Sequence, residues 1–387
     1  MTRIVLLVAA ALAVLASLLD LFGPTIFDRA ANRVYEDPPY AVSARGRALY
    51  EDLFVVDMHA DSLLWERDLS DRLDHGSIDI PRLIEGNVAI QSFFIVTKTP
   101  WITTIDQTSP DSDAITTLIV AQDWPEKTRT SLLERALYQA SRLHELAEQS
   151  EGRLRVLKTK ADLDQYREAR KQDVAAVAGI LGVEGAHVLE GDLANLEKLY
   201  HAGVRIVAPT HFFDNEVGGS AHGVDKGGLT ALGRDMVREM EDRGMLLDLA
   251  HASPAVIDDA TAIASRPVIV SHTGVRGTCD NNRNLSDAAL RAVTATGGVI
   301  GIGYWKTAVC GEDAASIARA IVYAANLVGA EHIALGSDFD GAVPVPFDTT
   351  GLALIVDALL DQGMNEEDIR LVMGENAARV FAETLPD

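Results

Sequence analysis

Two cysteines, Cys279 and Cys310, are all that the 387 residues contain, and no CxxC pair occurs. Zinc knuckles and thioredoxin-type redox motifs are therefore excluded. Basic residues are also in short supply: 34 Lys and Arg stand against 57 Asp and Glu, a formal charge of −23. A nucleic-acid partner needs a cationic surface to meet phosphate, so that class is set aside. The acidic excess says little about substrate, because charge on outer helices usually marks only a solvated face. No glycine-rich phosphate loop follows the first strand-like run. After about Gly46 there is no low-complexity stretch, short-period repeat or second linker. Apolar residues are abundant, at 48%, enough at this length to bury a large core.

The N-terminus reads as a targeting or anchoring segment. Arg3 precedes an apolar run from Ile4 to Leu19, which Asp20 and Gly23-Pro24 then break. The run suits a signal h-region, with Val14-Leu15-Ala16 as a weak cleavage site; extension to Phe22 makes it an uncleaved anchor. Positive charge before the run and acid after it put the body outside the cytoplasm, periplasmic or at the cell surface. No cysteine follows the run, which excludes a lipoprotein anchor. Residues 1–28 are thus a signal peptide or membrane anchor, 29–45 a linker broken by Pro38-Pro39, and 46–387 one domain. For the two cysteines, a disulfide and a pair of buried thiols both remain open.

Within the domain the pattern alternates. Strand-like runs are Leu53–Met58, Val88–Val96, Val174–Val183, Val204–Pro209, Met245–Leu249, Val268–Ser271, Val299–Tyr304 and His332–Gly336. Between most of them lie amphipathic helical segments: Thr130–Gln149, Leu193–His201, Ala231–Arg243, Pro254–Ser265, Ser286–Thr296 and Ala315–Val328. Gly203, Gly244 and Gly298 fall where helices should stop. Eight strands with intervening helices predict an α/β fold, a (β/α)8 TIM-like barrel. An open doubly wound sheet is the alternative, but it would string the polar residues that end these strands along an edge. A barrel gathers them on one rim.

Those polar residues carry the chemistry. His59 and Asp61 are two apart, so on an extended strand they share a face. Glu184, His211, His251, His272 and Asp338 end later strands. Imidazole and carboxylate donors without thiolate suit zinc, with manganese or cobalt possible. His59 and Asp61 would hold one cation, Glu184 would bridge, and His251 and His272 would complete a second position. Such a pair shares a water, lowers its pKa and polarises a carbonyl. Asp338 is placed to move that water's proton, although Asp340 competes for the role. His211 is left to bond a developing oxyanion. Each residue alone is more often structural; the series at six strand ends is what argues for a site. Asp57 reads as a support behind a ligand. His75, His144, His187, His201, His222 and His332 read as surface or supporting residues, with His187 and His222 nearest the mouth.

These segments resemble the membrane (renal-type) dipeptidases, metallopeptidases of the amidohydrolase superfamily. The resemblance spans about Leu53 to Phe381. It rests on DMHAD, VEGAHVLEGDLANLEKLYHAGVR, THFFDN, GLTALGRDMV, LLDLAHAS, PVIVSHTGVR, NNRNLSD, GSDFDG and GENAARVF. It implies two zinc ions, with His59 and Asp61 on the first, Glu184 and a water or hydroxide bridging, and His251 and His272 on the second. It implies that His211 contacts the substrate carbonyl, that Asp338 is the general acid/base, and that Arg283 of NRN grips the terminal carboxylate of a dipeptide. A forked guanidinium suits that task. It further implies broad dipeptide specificity with D-residues tolerated at the C-terminal position, a Cys279–Cys310 disulfide and a homodimer. The DxHxD and glutamate pattern departs from the HxH and carboxylated lysine of phosphotriesterases, dihydroorotases and deaminases. Trp65 in SLLW is out of step with the vertebrate pattern, so no substrate role is transferred to it, and the glycine-rich loop Asn215–Gly228 leaves side-chain specificity open. The rival readings are a metal hydrolase of N-acyl amino acids or lactones, and a non-catalytic barrel.

Overall fold

The computed structural model describes residues 23–387. Runs of Val, Ile and Leu form nine parallel strands. They are β1 Val55–Ala60, β2 Val88–Val96, β3 Leu154–Val156, β4 Val177–Glu184, β5 Val204–Val207, β6 Leu246–Leu247, β7 Ile269–Thr273, β8 Val299–Ile302 and β9 Ile333–Leu335. Eight follow the order β6-β5-β4-β2-β1-β9-β8-β7. A parallel bridge between Asp248 and Ile269 joins the two ends, with the Leu249 amide donating to the Ile269 carbonyl at 2.7 Å. The sheet therefore curls into a ring, as the alternation of strands and helices predicts. These are the eight expected strands, with ends shifted by no more than three residues. The ninth, β3, pairs with the start of β4 outside the ring. Its LRV is short and partly exposed, so no apolar run announces it.

One apolar cluster draws Val56, Ile90, Ile180, Ile206, Leu246, Ile269, Val299 and Ala334 from all eight ring strands. A cluster fed by every strand of a closed ring is the barrel interior. Five of the six expected helices begin on a capping side chain: Ser131, Thr230, Ser253, Ser286 and Asp313 each accept from the amide three residues on. Gly203 and Gly244 follow helix ends at φ 95° and 67°, as expected; after Ala295 the left-handed position falls to Gly297 at φ 85°, not Gly298. The helices Ala44–Glu51, Ala114–Ala121, Lys160–Arg170, Ala353–Asp361 and Asn376–Thr384 were not expected.

Residues 29–45 lie along the barrel. Val34 bridges to Val345, the Tyr40 hydroxyl donates to Asp348, and Ser43 caps the helix that follows. The apolar run itself lies outside the described residues, and among those described no helix is long and apolar enough to cross a membrane.

Close approach of β7, β8 and β9 depends on glycine. A methyl group on Gly336 would lie 1.9 Å from the Ser271 carbonyl oxygen, and one on Gly301 would lie 2.2 Å from it. The Gly336→Ala variant is therefore expected to lose about 1–3 kcal/mol of stability, read as a lower denaturant midpoint, because backbone must move to admit the methyl. An unchanged midpoint would show that the strands part at no cost.

Candidate metal centre and active site

The C-terminal rim of the ring gathers all eight candidate residues. His59 lies in β1 and Asp61 just beyond it, Glu184 ends β4, His211 and His251 follow β5 and β6, His272 lies in β7, Arg283 in the loop after it, and Asp338 follows β9. All eight are buried. Glu184 is the hub. Its Oε1 lies 3.6 Å from His59 Nε2, 3.2 Å from His251 Nε2 and 3.5 Å from His272 Nε2. Its Oε2 lies 2.9 Å from His211 Nε2. His59 Nε2 is also 3.5 Å from Asp61 Oδ1 and 4.0 Å from Asp338 Oδ1. Three groups could each surround a cation: His59, Glu184 and His272; Glu184, His211 and His251; and His59, Asp61 and Asp338.

Electrostatics favour cations here. Burial pushes the Glu184 carboxyl up, but the imidazoles of His211, His251 and His59 overcome it and hold it well below its usual range. Burial and the Arg283 guanidinium push His251 well down; burial, His59 and Arg283 do the same to His272. Both rings are therefore neutral and able to donate a lone pair. Burial would also lower His59, but the Asp61 and Glu184 carboxylates raise it to about 9. Asp338 is raised well above the usual range, by burial first. Among the described residues, His59 Nε2, Asp61 Oδ1 and Glu184 Oε1 have no hydrogen-bond partner. Desolvated donors converging without a bond are costly unless a cation joins them, so the set fits divalent metal.

Behind the donors stand two Asp–Ser pairs. The Ser271 hydroxyl donates to Asp248 Oδ2 at 2.6 Å and lies 3.0 Å from both His59 Nδ1 and His272 Nδ1. With its single proton committed to Asp248, the oxygen can only accept from the two rings. Each ring then keeps a proton on Nδ1; neutral His272 presents Nε2 as a lone pair, and His59 would do so once a cation displaces its second proton. Ser337 in turn donates to Asp57 at 2.5 Å, and its oxygen also lies 2.9 Å from the His59 carbonyl, so Asp57 is a support, as expected. Asp340 accepts from Ser62 and from the Ser77 amide and pairs with Arg67, so it faces away from the cavity and Asp338 alone meets the donors. His251 and Asp338 take left-handed φ of 61° and 62°, strain placed at the rim.

A cavity of about 570 Å³ opens over this centre. Seven of the eight candidates line it, and His59 lies beneath them. Arg283 sits at its wall, donating to the His272 carbonyl at 2.8 Å, 3.3 Å from His251 Nε2 and 5.4 Å from the Trp305 ring centre. Among the described residues it makes no ion pair. Its loop is pinned by a Cys279–Cys310 disulfide, 2.09 Å between sulfurs, and by Asn284, which donates to the Cys279 and Ala308 carbonyls. Burial holds His187 and His222 down at about 3. His222, the one cavity-lining residue of the Asn215–Gly228 loop, was not assigned a site role from sequence.

The pattern of the membrane dipeptidase family, Peptidase family M19, matches residues 43–385. The chain belongs to this family. It is thus a metallopeptidase of the membrane dipeptidase type, and the family is metal-dependent. An uncharacterized protein of Klebsiella pneumoniae is 30% identical over 255 residues, 62% of this chain and 92% of that protein. The structure of the dipeptidase AC, a metallo peptidase of family M19, aligns with TM-score 0.71 at 24% identity, covering 87% of this chain and 99% of that one. A metallo peptidase from Rhodobacter sphaeroides, liganded with a phosphinate mimic of the dipeptide L-Ala-D-Ala, aligns with TM-score 0.69 at 25% identity, covering 86% and 99%.

The sequence reading of this family member missed Asp248, Ser271 and Ser337. A signal existed: Asp248 precedes His251 in DLAH much as Asp57 precedes His59, and serine stands beside His272 and Asp338. Because Ser271 serves two rings at once, Ser271→Ala is expected to weaken cation binding about 10- to 100-fold, measured by competition with a chromogenic chelator. Unchanged affinity would remove it from the centre.

Proposed function

We propose that the protein is a dipeptidase that hydrolyses the amide bond of free dipeptides of broad specificity, with D-residues accepted at the C-terminal position. The observation that carries this reading is Arg283, a buried guanidinium without a carboxylate partner among the described residues, beside His251 of the metal-binding cluster. A buried cation of this kind calls for an anionic ligand, and a guanidinium takes a carboxylate through two bonds. Its place 3.3 Å from His251 Nε2 would set the carboxylate of a bound substrate close to the scissile amide, as in a dipeptide.

In this reading His59, Asp61 and Glu184 would hold one cation, and Glu184, His251 and His272 would hold the other, with zinc the expected metal. Two such cations, when bound, supply a water of lowered pKa and a Lewis acid. Asp338 takes the proton of the water that attacks the scissile carbonyl and returns it to the leaving nitrogen as the C–N bond breaks. His211 bonds the oxyanion, and Arg283 fixes the carboxylate. The mimic bound by the Rhodobacter sphaeroides protein supports the C-terminal D-residue. The disulfide supports an oxidising compartment, so the reading includes export, with the chain tethered or released through residues 4–22.

The test is a panel of L,L-, L,D- and D,L-dipeptides beside tripeptides, with metal content per chain measured on the same preparation. Asp338→Asn is expected to lower kcat about 10²- to 10⁴-fold with the bound metal retained. Arg283→Met is expected to lower kcat/KM on dipeptides about 30-fold or more, since it removes one partner of a buried charge pair. Equal rates on tripeptides, or full activity after exhaustive chelation, would falsify the reading.

A further inference from the structure

The cavity is far from uniform. Its charged groups, Asp61, Glu184, Arg283 and Asp338, all lie at the barrel rim. The remainder extends from the rim as an arm in which, among the described residues, no Lys, Arg, Asp or Glu is found. Its wall is an apolar cluster separate from the barrel core: Leu64, Trp65, Val96, Ile115 and Leu118 meet there. Phe27, from the helical stretch at 23–31, adds its ring 5.9 Å from Trp65. Trp65 donates its indole N–H to the Asp340 carbonyl at 2.7 Å, so only its apolar face is left for the cavity.

Position in the ring decides which half of a substrate meets this arm. Arg283 follows β7, and its Trp305 neighbour follows β8. The arm is built on the segments that follow β1 and β2. In the ring order β2 stands four places from β7, directly across. A dipeptide whose carboxylate is held at Arg283 and whose carbonyl lies over Glu184 must send its N-terminal residue to the β1–β2 side. We infer that the arm is the subsite for a large apolar side chain on the N-terminal residue of the dipeptide, an inference that rests on the dipeptidase reading above. An uncharged, apolar wall gains from burying such a side chain and penalises a charged one, which would lose its water without a partner.

The experiment compares kcat/KM for Gly-Ala, Phe-Ala, Leu-Ala and Lys-Ala with the reversed set Ala-Gly, Ala-Phe, Ala-Leu and Ala-Lys. N-octanoyl-alanine serves as a probe of an acyl chain in place of a side chain. Phe-Ala and Leu-Ala should exceed Gly-Ala by about tenfold or more, Lys-Ala should fall below both, and the reversed set should spread less. Two variants guard against loss of fold: Leu118→Asn, at a half-buried helix position, and Trp101→Ser, at an exposed loop position whose residue lines the outer arm. Each should reduce the ratio of Phe-Ala to Gly-Ala by about threefold or more, with far-ultraviolet dichroism unchanged. Equal rates for Gly-Ala and Phe-Ala, or a ratio untouched by both variants, would overturn the inference while leaving the dipeptidase reading intact. Faster cleavage of N-octanoyl-alanine than of Phe-Ala would also overturn it, assigning the arm to an acyl chain. Hydrolysis of none of the dipeptides overturns the dipeptidase reading first, and this inference with it.

Discussion

Glu184 is the constraint on which the rest of the molecule depends. One carboxylate, removed from water, faces four imidazoles, with three of them turned to a single oxygen. The rings lower its pKa, but the added carboxylates of Asp61 and Asp338 make the rim more anionic still. Burying three acids within a few ångströms is tolerable only if cations or protons neutralise them. The high His59 pKa is the protonic answer; divalent metal is the stronger one, since it also binds the lone pairs that protons leave unused. Cation binding and local stability are then two sides of one equilibrium.

The second requirement is that the donors hold still. The barrel meets it from below and behind. Phe94 stacks on the His59 ring at 4.0 Å, and Ser271 ties two rings on different strands to one aspartate. Gly301 in β8 and Gly336 just after β9 let the neighbouring strands close on the Ser271 carbonyl, so the packing that seats the serine also seats His272 beside it. Left-handed backbone at His251 and Asp338 would relax if the surroundings allowed it. That it persists at two donor positions is consistent with a rim shaped for geometry over local comfort.

How much of this could be read from the chain follows from locality. Strand ends and residue parity are local, so the ring and seven of its eight candidate residues were legible in runs such as VVDMHAD and GILGVEG; Arg283, on a polar loop, was marked only by the family resemblance. The choice between Asp338 and Asp340 was not. Both lie on one short segment, and only the distant partners Ser62, Arg67 and Ser77 draw Asp340 away. Strand β3 and the helix Lys160–Arg170 escaped because their faces are mixed and short, and partners outside them, Val177–Gly179 for the strand and Ala89 and Glu375 for the helix, decide their fate. The apolar arm was the least legible of all. Phe27, Trp65, Val96, Ile115 and Leu118 form no pattern along the chain; they become a surface only when the first two strands stand side by side. Trp65, given no role from its motif, is part of that surface.

Depth adds a last constraint on what can be cut. The barrel interior beneath the donors is filled by apolar side chains from every strand, so the cavity has a floor. Arg283 is buried at the rim against His251 and Trp305, on the closed side, whereas the arm runs outward past Trp101, which is exposed. On the proposed dipeptidase reading, the C-terminal half of a substrate would meet a wall and a fixed charge. The N-terminal half would meet an apolar surface that opens to solvent. Selection by length would then be imposed at the carboxylate end by electrostatics and space, and selection by side chain at the amino end by burial. Because the two controls would act through different residues on opposite sides of the ring, a substitution in the arm would alter side-chain selection without touching the donors.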